Sequence, residues 1–221
     1  AEIKQTSATL MQVPINVDLF NHRVVGLVGR NRADIARAII TQLAANNCYT
    51  DVRMAVLSNG STGADWSFMK WLPHVWNSDR SQRYVALKGS EVSGICYELT
   101  QIFRSRSDQA DSTSSTRQTV LPTQYVVLVE SCDLVESEPL AKYLYERPEA
   151  IGVTTLLLAN SFEDLPNSCG YIIESSHAFS GMYSMTPNGE APQKIKFDYV
   201  STRAAEQLAR RISDIRVAEN G

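Results

Sequence analysis

The 221-residue sequence predicts an α/β fold, a mostly parallel sheet flanked by helices in a single domain. Three observations carry that reading. Apolar runs alternate with segments of helical periodicity, as happens when strands cross over through helices into a parallel sheet. Two of those runs, residues 125–129 (YVVLV) and 153–158 (VTTLLL), read as strands buried on both faces. The first strand also passes through a glycine-bearing turn directly into a helix, the opening move of doubly wound sheets.

Taken in order, residues 23–28 (RVVGLV) are the first strand, followed by a helix over about 33–45 with Ile35, Ile39, Ile40 and Leu43 on its apolar side. Residues 51–57 (DVRMAVL) form the next strand and residues 84–87 (YVAL) a shorter one. Residues 91–103 place Val92, Leu99, Ile102 and Phe103 at helical spacing. Between 104 and 118 (RSRSDQADSTSSTRQ) no large apolar residue occurs, so too little surface can be buried to offset the ordering entropy. That stretch is predicted to be a polar, flexible loop. A helix with Pro139 in its first turn separates the two buried strands. Strands at 171–174 (YIIE) and 194–200 (KIKFDYV) lead to a closing helix, for which Ser201 and Thr202 are cap candidates and which sets Ala205, Leu208, Ile212 and Ile215 on one face. The main domain is predicted over 13–221, with 1–12 as an N-terminal extension.

A hydrophobic content of 43% supports one well-buried core, and a net charge of −3 offers no basic excess with which to neutralise nucleic-acid phosphates. Cys48, Cys96, Cys132 and Cys169 lack any CxxC or Cys/His spacing and read as free thiols of a reducing compartment. His22, His74 and His177 make no metal pattern. No apolar run of about 18 residues or more occurs and no signal peptide precedes the first strand, so the piece is expected to be soluble.

A working phosphate-binding loop spells G-x-x-x-x-G-K-[ST], in which backbone N–H groups curl round the phosphates, the lysine reaches the terminal phosphates and the hydroxyl holds magnesium. The same window here is Gly26, Leu27, Val28, Gly29, Arg30, Asn31, Arg32 and Ala33. Asn31 stands at the second glycine and tolerates a left-handed backbone; Arg32 replaces the lysine with a bulkier planar fork; Ala33 has no oxygen for a metal. Two readings of the window stay open: a degenerate nucleotide site, and a strand-to-helix turn that never bound phosphate. The fold class is P-loop NTPase-like, of the RecA type, in either case.

Further landmarks are Leu72, Pro73, His74 and Val75 after Trp71, the segment 125–134 (YVVLVESCDL), and the strand 152–160 (GVTTLLLAN). In this order they resemble the FtsK/SpoIIIE family of motor ATPases. The phrases VPINVDLF (13–20), GLVGRNRADIARAIITQL (26–43), DWSFMKWLPHVWNSD (65–79) and GVTTLLLANSFEDLPNSCGYIIE (152–174) are similar to one subgroup, the type VII secretion ATPases EssC, EccC and YukB. Within that subgroup the likeness is to the degenerate domain between the transmembrane segment and the first true ATPase domain.

The resemblance implies an Asp-Glu pair at the end of the 125–129 strand, supporting magnesium and activating water. Here the pair is either Val129-Glu130 or Glu130-Ser131, so one acid is missing in either register. The alternative for Glu130 is a solvated carboxylate at a strand end; Asp133 reads as a turn residue. Asn160 stands where the family senses the terminal phosphate. The degenerate nucleotide site would thus comprise Gly26, Gly29, Asn31, Arg32, Ala33, Glu130 and Asn160, with no catalytic residue and no metal.

Trp66, Trp71 and Trp76 either pack over a sheet edge or form a contact patch, and Arg210 and Arg211 on the polar side of the closing helix are further candidates for an interaction surface. By resemblance the parent is a membrane-anchored, ATP-driven export motor at the cytoplasmic face of the bacterial membrane. ATP and magnesium are expected in its other domains and no cofactor in this one. Expected partners are the adjacent ATPase domains of the same chain, other membrane subunits of the secretion system and, in a homo-hexamer, further copies; nucleic acid is not among them. The expected role is non-catalytic coupling of the membrane segment to the motor domains. A weakly active ATP-binding and ATP-hydrolysing domain is the alternative, and a DNA-translocase domain is disfavoured by the acidic balance.

Overall fold

A computed structural model describes residues 17–61, 64–112, 123–186, 189 and 191–216. The strands are β1 (Val24–Gly29), β2 (Val52–Leu57), β3 (Val85–Ala86), β4 (Gln124–Val129), β5 (Val153–Ala159), β6 (Tyr171–Ser175), β7 (Ser180–Ser184) and β8 (Gln193–Lys194). The helices are α1 (Arg32–Asn46), α2 (Gly89–Ser112), α3 (Leu140–Tyr145), α4 (Pro148–Ile151) and α5 (Thr202–Ile212), with short 3-10 turns between several of them. The strands form one sheet in the order β3-β2-β4-β5-β1-β6-β7-β8. β1 to β6 run parallel, while β7 and β8 fold back antiparallel.

Strand periodicity sorts the core into two layers. Val25, Leu27, Met54, Val56, Val126, Leu128, Leu156 and Leu158 face α1, α5 and the 3-10 turn Ser67–Trp71. Ala55, Leu57, Val127, Val129, Val153 and Leu157 face α2, α3 and α4. Every residue of β5 is buried, as its apolar run predicts for a central strand. β1 lies between β5 and β6, so the chain leaves β1 towards β2 on one side and returns to β6 on the other. The carboxyl ends of β1, β4 and β5 therefore meet where the strand order reverses, the place where open α/β sheets form ligand crevices.

Three expectations need correction. The polar stretch is not a loop from 104: α2 continues through it to Ser112, and 113–118 lie outside the described residues. The entropy argument counted only apolar burial, whereas Arg106 donates from Nη1 to the carbonyls of Thr123 (2.8 Å) and Ile151 (2.9 Å). Its guanidinium also lies 4.8 Å from the centre of the Tyr125 ring. The strand foreseen at 194–200 is reduced to a two-residue ladder, and Ile195 is held beside it by backbone and side-chain bonds to Ser180. Ile215 lies beyond the end of α5 and is exposed, so Ala205 and Ala209, not Ile215, make the buried face.

Cys96 and Cys169 are buried and Cys48 and Cys132 half-buried; all four are unpaired thiols. The expected 1–12 extension lies outside the described residues. Among the described residues no helix is long and apolar enough to cross a membrane, and no group of His, Cys, Asp and Glu is placed to hold a metal ion.

Candidate functional site

Half of the window that resembles a phosphate-binding loop is sheet, residues 26–29 of β1. Gly26 sits inside β1, in register with Leu157 on one side and Ile172 on the other. A Cβ on Gly26 would stand 2.8 Å from a Leu165 methyl and 3.1 Å from Cys169 Sγ, so this glycine serves packing over the sheet. Gly29 ends the strand with φ +107°, and any Cβ there would collide with the Ser175 carbonyl. That same carbonyl accepts the Arg30 N–H at 3.1 Å. Only Arg30 and Asn31 bridge β1 to α1, so the connection expected over 29–32 is a two-residue link. Gly29 thus reflects the close approach of β6 and Gly26 the packing of Leu165 and Cys169, which no reading of spacing could separate from a phosphate cradle.

Asn31 is not left-handed; its φ is −96°, and its side-chain amide donates to the Tyr199 hydroxyl (3.0 Å) and Ser175 Oγ (3.4 Å). Arg32 opens α1 and turns back over the link. Its Nη1 donates to the Gly29 carbonyl at 2.9 Å and its Nη2 to Asn160 Oδ1 at 2.5 Å. The guanidinium thus ties β1 to the end of β5, occupying the mouth between the two strands. Ala33 packs against the core and brings no oxygen.

Glu130 follows β4 directly, and its backbone N–H donates to the Leu57 carbonyl (3.0 Å). Its carboxylate is not solvated, as one sequence reading held, but 2% exposed. Ser58 Oγ donates to Oε2 at 2.5 Å and the Trp66 indole N–H to Oε1 at 3.3 Å. Val129, its neighbour on the other side, is fully buried in the core. Asp133 lies in the 3-10 turn Cys132–Leu134 and Asp164 in the turn Phe162–Asp164, closed by a capping box with Ser161.

These groups surround a crevice of about 190 Å³ lined by Arg32, Glu130, Asp133, Asn160 and Asp164, together with Ser61, Ser131 and Cys132. Burial and the neighbouring carboxylates push the Cys132 thiol up to about 11, which keeps it protonated and a poor nucleophile. Three carboxylates face one guanidinium that is already engaged, a balance that disfavours a polyphosphate. Asp164, Ser61 and Cys132 were missed from the sequence. For Asp164 the signal was present in Ser161-x-x-Asp164, a capping box immediately after the central strand.

No family model matches the chain. The chain is 22% identical to the ESX secretion system protein EccC of Geobacillus thermodenitrificans, over 96% of this chain and 14% of that protein. It is 21% identical to the ESX secretion system protein YukB of Bacillus subtilis, over 78% of this chain and 11% of that protein. Both relatives are ESX secretion system proteins. The chain spans only a small fraction of their length. Among solved structures, the second and third ATPase domains of EssC from Geobacillus thermodenitrificans share the fold with a TM-score of 0.57 at 10% identity, over 88% of this chain and 44% of that one. The cytoplasmic domain of the type VII secretion ATPase EccC of Thermomonospora curvata does so at 0.56 and 8%, over 84% and 25%. The conjugation coupling protein TcpA of plasmid pCW3, in a form with ATPγS, does so at 0.53 and 13%, over 74% and 51%.

Within this fold the tryptophans divide. Trp66 is 1% exposed and belongs to the core, so it is no part of a contact patch. Arg37 lies 5.8 Å above its ring. Trp71 and Trp76 are half-buried, covered by Arg210 at 4.0 Å and Arg83 at 4.2 Å respectively. Arg210 also pairs with Glu206 at 2.8 Å, so of the two expected α5 arginines Arg211 is the one that stands exposed without an ion pair among the described residues.

Proposed function

We propose that this chain is a non-catalytic, ATPase-like module of a type VII secretion motor, which transmits position between a membrane segment and catalytic ATPase domains by protein contact. One observation carries the reading above the others: the guanidinium at the lysine position is bonded to the Gly29 carbonyl and to Asn160, across a link of two residues. Phosphoryl transfer depends on positioning and electrostatics at that point, on a metal hydroxyl ligand that Ala33 lacks, and on an acid free to act. Glu130 is instead enclosed by Ser58 and Trp66. No cofactor is expected in this domain, and its partners are adjacent ATPase domains and membrane subunits of the same export system, at the cytoplasmic face.

The test compares full-length secretion motors. Charge reversal at the exposed Arg203 and Arg211 of α5 is expected to lower export by roughly 5- to 150-fold, the usual range of coupling energies, with the domain still folded by circular dichroism. Arg32→Ala is expected to leave export near its normal rate. Loss of export in Arg32→Ala alone, with the α5 variants active, would overturn the coupling role in favour of a weakly active nucleotide site.

A further inference from the structure

Glu130 reaches beyond the crevice. Its carboxylate orients Trp66 through the indole N–H, and Trp66 in turn begins the 3-10 turn Ser67–Trp71 and accepts the Met69 N–H at 3.0 Å. At the end of that turn Trp71 lies under Arg210, in the last turn of α5. Through its ring face Trp66 also supports Arg37, which is 4% exposed and donates from Nη1 to Asp34 (2.7 Å) and to the Val200 carbonyl (3.0 Å). Val200 directly precedes Ser201, whose hydroxyl accepts the Ala204 N–H and caps α5. Both ends of α5 therefore trace back to one buried indole, and that indole to one carboxylate on the crevice wall.

We propose that Glu130, Trp66 and Arg37 form a latch that ties the seating of α5 to the state of the crevice. While Ser58 and Trp66 hold the carboxylate, Trp66 is fixed and α5 is docked at its first and last turns. When the carboxylate is drawn away by a group entering the crevice, or lost, the indole and Arg37 shift together and α5 loosens, while the sheet beneath stays paired. The geometry favours local release over general unfolding, because α5 buries only Ala205 and Ala209 fully whereas β4 and β5 are buried almost throughout. The latch deepens the coupling role proposed above and rests on it for its purpose in the motor. Amide exchange reads the latch by itself, so its failure would leave the secretion comparison standing.

The experiment is hydrogen exchange, read by mass spectrometry, on the whole 221-residue chain. Glu130→Met removes both acceptors at similar volume, and Trp66→Phe keeps a ring without its N–H. Glu174→Met is the control, since Glu174 is likewise a buried carboxylate with hydroxyl donors, Ser176 and Tyr183. Exchange in 202–212 and 67–71 is expected to rise about tenfold in Glu130→Met and in Trp66→Phe, no further in the double variant, and not in the control. Exchange in β4 and β5 should hold. Unchanged α5 exchange, an equal rise in the central strands, or the same α5 response in the control would each overturn the latch.

Discussion

His74 occupies the Leu-Pro-His-Val landmark and is 2% exposed, a burial that its position in a short polar-apolar phrase does not announce. Its Nε2–H donates to the Asn47 carbonyl at 2.9 Å, and its buried Nδ1 has no partner among the described residues. Burial therefore lowers its pKa below the ordinary value of 6.5. The folded state holds the ring neutral, and below about pH 6.5 the unfolded chain binds the proton that the folded chain refuses. Stability is thus fully present above the unfolded value and lost as pH falls through the range below it. Urea midpoints between pH 7.5 and 5 should show this decline in the wild type and a shallower one in His74→Gln. At Gly29 the positive φ and the Ser175 carbonyl act together, so Gly29→Ala should lose about 2 kcal/mol or more in urea denaturation. The sequence places Gly29 in the phosphate-loop window but does not show that the Ser175 carbonyl is what requires a glycine there. Glu130 was legible as a strand-end acid, yet its burial was not, because Ser58 and Trp66 reach it from 72 and 64 residues away.

Among the elements, the central strands and α1 were readable almost to their ends, because runs such as VTTLLL and the Ile35–Ile40 spacing carry their own burial pattern. β7 was not, since SGMYS alternates weakly and owes its pairing to Ile172 and Ile173 on β6. The last turns of α2 were misread for a different reason. Their order rests on a polar anchor, Arg106, which bridges two backbone carbonyls and stacks on Tyr125, and whose burial lowers its pKa. Arg106→Ala should accordingly cost about 2 kcal/mol of unfolding free energy, by leaving those buried carbonyls short of a donor. Arg104→Ala, on the exposed side of the same helix, should stay within about 0.5 kcal/mol. Equal effects at the two positions, measured by urea denaturation, would mean that the polar stretch is held by composition rather than by that anchor.

For the molecule as a whole, strand order brings the ends of β1, β4 and β5 to the reversal point where such sheets bind ligands, and the side chains assembled there include Arg32, Glu130, Asp133, Asn160 and Asp164. On the proposed non-catalytic reading, the two-residue β1–α1 link weighs as much as its residue types, so Arg32→Lys with Ala33→Ser should not create binding. The most direct measurement is calorimetric titration of the folded chain with Mg-ATP, in the wild type, in Arg32→Ala and in that double variant. A non-catalytic module gives no saturable heat in any of the three. Micromolar binding by the wild type that Arg32→Ala abolishes would contradict it, and would make the crevice a working nucleotide site.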